Sequence, residues 1–592
     1  MSDEANVWIK PEKWGETYWR GEEPPSGVGE DREWVEIPHE MYIPISKAKV
    51  VAAFKGDYAR SEDEVEKFKH FVELLDGIYH FHFHETLNQL KEDYEFFSPD
   101  VVEDDDDDDD ETVAVALSEE EIQHRERRFL SNFMKLMERG NFNPLTQPEY
   151  DLADASTFVF DMPVDANWTG HDPELIRDFS AWSETAEGKA QLADCIPSDA
   201  GSFNEWIDQP EDTKDQMLIF TRGKTPERVE GAFLLSKVNL LVERVVKLAI
   251  RLVASFSKKL QEQLGAVEEE YKAPERKDID VAFLPRWLRR MNLENQLTNW
   301  GSFVGKTTLQ EPAFERVICL FRLKAKDPFR ALRTNPLLGG MVNKMFKKPE
   351  EPAVKPISIK IFKNIPMADL EVVFPEKKLK MRPFDKTVLS LVVLATLITG
   401  IVKATGGSDD GSGGGFLAFI GIMVAVLLKT VTGFLRTRVK YIAKIAQDLY
   451  ERNLDSNMGV MQFLVDSVEE QEFKEAFLSY LLLVKNQAVI GANGQPTKTM
   501  SSEDLDEAVE VFLKDNFNDL EVDFDVDGAL ELVAADAGAD NLPKPSEEQD
   551  SMRKFLPIVA HKNGQYWAVP MDEALRAMDE KWDNFFQYNL DD

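Results

Sequence analysis

The sequence predicts a multidomain α+β protein with a helical N-terminal region, a central α+β unit, a two-helix transmembrane hairpin and a C-terminal winged-helix-like domain. Three observations predict it. Helical periodicity runs through residues 61–94 and 118–139, strand-like apolar runs gather between 216 and 374, and two apolar stretches flank a glycine-rich connection at 404–414. At 592 residues the chain exceeds what one core fills. The expected divisions are an N-terminal extension at 1–60, a mostly helical region at 61–215, a central domain at 216–382, the hairpin at 383–435 and a C-terminal domain at 436–592.

Composition narrows the function classes. Apolar residues make up 43%, ordinary for a globular chain, but the formal net charge is −39. Such a surface repels nucleic acid and other anions. Two cysteines, Cys195 and Cys319, cannot build a disulfide framework or alone hold a structural zinc, which fits a reducing compartment. The start, Met1-Ser2-Asp3-Glu4-Ala5, has neither a basic region nor an apolar run, so no secretory signal or Arg-rich transit peptide is expected. The sequon Asn167-Trp168-Thr169 then reads as chance.

In the helical region, Ser118-Glu119-Glu120-Glu121 supplies an N-cap with a capping-box glutamate at the third following position. Glu103 to Glu111, with seven consecutive aspartates, is self-repelling and reads as a solvated loop, a calcium sink being the minority reading. The central unit starts with a short strand at Met217–Phe220. It continues with a long amphipathic helix over Leu234–Leu264, where Lys237, Arg244, Arg251 and Lys258 recur every seven residues. Such a helix lies on a membrane surface or, more commonly, on its own core. Strands follow at Phe314–Leu323, Ile357–Ile365 and Leu370–Phe374, separated by a basic stretch with Lys344, Lys347 and Lys348.

Val388 to Val402 is uncharged, and Gly415 to Leu435 is apolar except for Lys429. A span needs about 20 residues, which the first stretch reaches when its ends at Pro383 and Thr405 are counted. Lys380, Arg382 and Lys386 precede it, Arg436, Arg438 and Lys440 follow the second stretch, and the connection carries only Asp409 and Asp410. By the positive-inside rule both flanks stay cytoplasmic. A buried helical hairpin inside a water-exposed fold is the alternative.

Several motifs approach known chemistry without completing it. Gly305-Lys306-Thr307 resembles the end of a phosphate-binding loop, but the glycine required five positions earlier is Trp300. Asp523 to Gly528 opens like a calcium loop, yet its twelfth position is Ala534, so a helix N-cap is the commoner reading. His80 and His84 align at i and i+4 on a helix, two metal-ligand candidates without a third. Cys195 has only His171 nearby in sequence, which is weak support for a nucleophile. No catalytic residue and no cofactor is assigned. At the C-terminus, helices near 460–485, 502–516 and 526–535 precede strands at 556–561 and 566–569 joined at Asn563-Gly564. That order resembles a winged helix, but Asp523, Asp525, Asp527, Glu531 and Asp536 make its third helix acidic, which argues against duplex binding.

Short segments carry a family resemblance. They are Glu311 to Val317, Lys360 to Glu371, Lys380 to Lys386, Asn453 to Asn457, Glu469-Glu470-Gln471-Glu472-Phe473-Lys474-Glu475-Ala476 and Trp582 to Phe586. On these the chain resembles the transmembrane protein 143-like family, built around domain of unknown function 3754, over roughly residues 60 to 590. The resemblance implies a two-pass membrane protein, mitochondrial in animals, with no established reaction to carry over. The expected function is a membrane-anchored interaction or scaffold protein in contact with the lipid bilayer and an unidentified protein partner. Its expected location is a bacterial plasma membrane with both termini cytoplasmic, or else a mitochondrial membrane. A membrane-bound metal-dependent hydrolase using His80 and His84 is the rival.

Overall fold

The computed structural model describes residues 39–58, 61–99, 118–153, 164–193, 200–231, 286–291, 305–325, 339–346, 354–379, 442–518 and 520–585, with shorter pieces at 18–20, 34–37 and 195–197 and scattered single positions. Two long helices open the fold, α1 (Glu62–Glu95) and α2 (Glu119–Arg139). Each starts where a serine accepts a backbone N–H, Ser61 from Glu64 and Ser118 from Glu121, with three acidic residues in the first turn facing the positive helix end. α1 buries Phe71, Leu75, Ile78 and Leu90 at helical spacing.

The central sheet is antiparallel and five-stranded. From edge to edge it runs β4 (Asn453–Ser456), β3 (Ile357–Pro366), β2 (Thr307–Arg322), β1 (Met217–Gly231) and the short Asn143–Pro144 strand. β1 and β2 pair from Met217↔Phe321 to Gly231↔Thr307. The pair bends at Gly223, which takes φ +71°; a Cβ there would meet the Glu315 Cβ at 2.8 Å, so glycine is required. Alternate side chains serve two cores. Leu218, Phe220, Ile318, Leu320, Ile359 and Ile361 join the helices, while Met217, Ile219, Val317, Cys319 and Phe321 pack on the 3-10 turn Met367–Val373.

The helix α3 (Met458–Lys485) leaves β4 and runs through the middle of the main core. α1 packs along it, Phe71 stacking on Tyr480 at 4.9 Å between centroids. α4 (Ser502–Asn516) and α5 (Val526–Val533) follow, and then a second sheet ordered Pro543–Lys544, β5 (Ala534–Ala537), β6 (Val559–Lys562), β7 (Gln565–Ala568). β6 and β7 are joined at Asn563 and Gly564, both at positive φ, the geometry a two-residue hairpin needs. α6 (Met571–Phe585) closes the chain against α1. The extended segment at 39–46 lies against α3 and β1: Ile43 is buried, and Tyr42 covers the Arg222 guanidinium at 3.8 Å.

The structure corrects the membrane expectation. Among the described residues no helix is long and apolar enough to cross a membrane. The long described helices fail for a plain reason. α1 is studded with acidic and basic residues along its exposed side, and α3 carries Glu469 to Glu475 across its middle. The transmembrane hairpin in the expected fold class is therefore replaced by a mixed α+β chain, and its own residues at 383–435 lie almost wholly outside the described ones. The two-pass integral membrane function, the membrane and transmembrane descriptors and the plasma or mitochondrial membrane location rested on that hairpin and fall with it.

Smaller differences have local causes. The strand expected at Leu370–Phe374 is the 3-10 turn, because Asp369 sits at φ −114° between two short helical pieces. The helix expected to reach Ala535 stops at Val533, since Ala534 and Ala535 pair in parallel with Val559 and Ala560. The expected helix at 234–264 and the acidic run at 103–111 fall largely or wholly outside the described residues.

Candidate functional site

The stretch Glu469–Ala476 lies in the middle of α3 and brings charge into the core. Gln471, Glu472, Lys474 and Glu475 are all buried, Glu472 at 1% exposure. Buried charge survives only where it is paired and hydrogen-bonded. Apart from Glu475, each of these side chains finds a partner far away along the chain. The Lys474 Nζ donates to the carbonyl of Ile43 at 2.7 Å, and Gln471 Oε1 accepts from the Ile43 N–H at 3.2 Å. Glu470 accepts from the backbone N–H of Lys47 at 2.6 Å. Lys554 donates to Glu472 at 2.7 Å, and Arg139, at the end of α2, lies 3.9 Å from the same carboxylate. Three distant segments, around residues 43–47, 139 and 554, meet on eight residues.

The cluster holds more carboxyls than its cations neutralise. Burial raises the Glu472 pKa, but Lys554 and Arg139 outweigh it and hold the group below the usual carboxylate range. Glu475, whose carboxylate accepts from Gln471 Nε2 at 2.7 Å, is pushed up by burial to about 8. Glu138 is pushed up by burial to about 7. His82 faces the same cluster from α1; burial, reinforced by the Lys554 charge, lowers it to about 4, so it stays neutral. Burial likewise lowers Lys474 to about 8.

The predicted metal candidates lie on the other side of α1. His80 and His84 share a face as their spacing requires, with ring centroids 6.3 Å apart, and His80 Nδ1 lies 3.3 Å from Glu469 Oε2. Among the described residues no group of three or more His, Cys, Asp or Glu side chains is placed to hold a metal ion. Cys195 is buried, its Sγ directed at the Ser131 carbonyl, and His171 contacts the Gln216 carbonyl instead. Lys306 precedes β2 rather than a helix, so no phosphate loop forms, and Asp525 caps α5 by accepting from Gly528 N–H at 2.9 Å. Of the predicted flanking cations, Lys380, Arg382, Lys386 and Arg438 lie outside the described residues, while Arg436 and Lys440 are helical and exposed.

Those last two belong to a surface that charge alone did not reveal. Residues 439, 440 and 442–452 are helical. This helix touches the body of the protein through a narrow stripe: Ile445 is buried with Val164 and Val372, Leu449 packs beside it, and Arg452 reaches Glu227 at 2.6 and 3.2 Å. Val439, Ile442, Ala443, Ala446 and Tyr450 follow a second helical stripe that is exposed, Ile442 at 48%, Val439 at 65% and Tyr450 at 83%. Arg436, Lys440 and Lys444, four apart, line its flank. The signal was legible as spacing, once the segment is taken as helix.

Residues 314–459 match a family model described as a protein of unknown function, DUF3754. No curated protein and no solved structure matches the chain.

Proposed function

We propose that this chain is an interaction protein and that residues 314–459 carry its protein-contacting surface. One observation supports this reading. Of the fourteen large apolar side chains that stand exposed among the described residues, seven lie within this stretch of the 592-residue chain. Apolar surface gathered in one region and rimmed by charge is the usual mark of a contact waiting for its partner. The narrower kinship, to the transmembrane protein 143-like family, rests on Lys360 to Glu371, Lys380 to Lys386 and Asn453 to Asn457 inside the match; we take it as common descent of this region only.

The test is chemical crosslinking in intact cells followed by mass spectrometry, comparing the natural chain with the double variant Val439→Asp, Ile442→Asp. Lys440 and Lys444 should crosslink reproducibly to a second protein, and the variant should lose that product. A crosslink map with nothing at these lysines, or one unchanged in the variant, overturns the reading.

A further inference from the structure

The helical residues 439, 440 and 442–452 carry information about what covers them. Their exposed stripe is about 17 Å long from Val439 to Tyr450 at 1.5 Å per residue, the length of three helical turns. Its middle is Ala443 and Ala446, so the surface is flat at the centre and raised by Val439 and Ile442 at one end and by Tyr450 at the other. Small residues at the centre let another backbone approach closely, and bulky ends fit the grooves of a second helix. A lipid-surface helix instead concentrates bulky Trp, Phe and Leu along its apolar face. The flank is basic at Arg436, Lys440 and Lys444, none of which forms an ion pair among the described residues, in a chain whose net charge is −39.

From this we infer that the docked partner is an acidic amphipathic helix of another protein. Its apolar stripe lies on Val439, Ile442, Ala443, Ala446 and Tyr450, and its carboxylates face Arg436, Lys440 and Lys444. The inference rests on the protein-contact reading of residues 314–459 and names the chemistry of the occupant. A second copy of this chain is disfavoured by like charge at long range. The basic flank steers the acidic helix in and sets its direction, while the alanine centre supplies the fit.

The probe is a labelled helical peptide with leucines at i, i+3, i+7 and i+11 and glutamates on both flanks, titrated against the full chain by fluorescence anisotropy. Two control peptides replace the glutamates by lysine or the leucines by serine. The acidic amphipathic peptide should bind at least about tenfold more tightly than either control, and more weakly as salt rises. Lys440→Glu with Lys444→Glu should reverse the preference between the glutamate and lysine peptides. Ile442→Asp with Tyr450→Asp, both at exposed positions, should abolish binding while the helical circular dichroism stays unchanged. Equal binding of the acidic and basic peptides, or of the serine control, overturns the inference. So does binding to phosphatidylserine vesicles in the absence of any peptide binding. If Lys440 and Lys444 crosslink to a partner in cells but the acidic peptide does not bind, the occupant is wrong and the interaction reading stands. If the crosslinks are absent, the interaction reading itself has failed.

Discussion

Glu472 illustrates how a single side chain is held in the core. Its carboxylate answers Lys554 and Arg139, and removing it leaves Lys554 without its counter-ion and Arg139 with only Glu138 and Glu531. Breaking one partner out of a buried pair costs about 3 kcal/mol or more. Glu472→Ala should therefore lower the urea midpoint by that equivalent, and Glu472→Gln by less, because the amide still accepts a hydrogen bond. Proton linkage gives a second expectation at this scale. Glu475 and Glu138 have raised folded pKa values, about 8 and about 7, and Glu510 is raised by burial to about 7. The folded state thus binds more protons than the unfolded chain, and these groups remove stability as pH climbs from the ordinary carboxylate range to about 8. His82, lowered to about 4, works in the opposite sense between about 4 and 6.5, and Lys474, lowered to about 8, restores stability above 8. Unfolding free energy measured by urea titration should therefore fall from about pH 6.5 to 8 and rise beyond it. Glu475→Gln should flatten the falling limb; an unchanged slope would remove Glu475 from this account.

Elements were legible where local chemistry is strong. Ser61, Ser118 and Ser501 cap α1, α2 and α4 with acidic first turns, and those helices lie close to where periodicity puts them. The strand at Met217 was seen only through Phe220, because its second half, Arg222 to Gly231, is polar; pairing with β2 keeps it extended, and only the partner reveals that. The apolar run after Pro366 failed as a strand because a short apolar run does not distinguish extended from helical backbone. In the candidate site, the odd charges within α3 were visible in the sequence. Their partners were not, since Arg139, Lys554 and Ile43 lie far away along the chain. Caps also make predictions. Asp525→Ala removes the acceptor for Gly528 N–H and should cost about 1 kcal/mol. Because Ala534 continues directly into β5, the loss should appear in hydrogen exchange of α5 and β5 together.

For the whole molecule, the main core draws on Val50, Phe71, Phe133, Phe220, Ile359, Leu481 and Val559, residues from nearly every described segment of the chain. The matched stretch does not coincide with that arrangement. It opens at Phe314, in the middle of β2, and closes at Gly459, within the first turn of α3. β1, the neighbour that hydrogen-bonds β2 along its full length, lies entirely upstream of the match. A gene fragment cut at 314 and 459 would thus present a sheet with a raw, unsatisfied edge and half its packing missing. Such a fragment should collect in inclusion bodies, whereas one running from residue 39 to 585 should give a cooperative melt. The borders of the family match and the borders at which this protein can be taken apart are different lines, and engineering must follow the second.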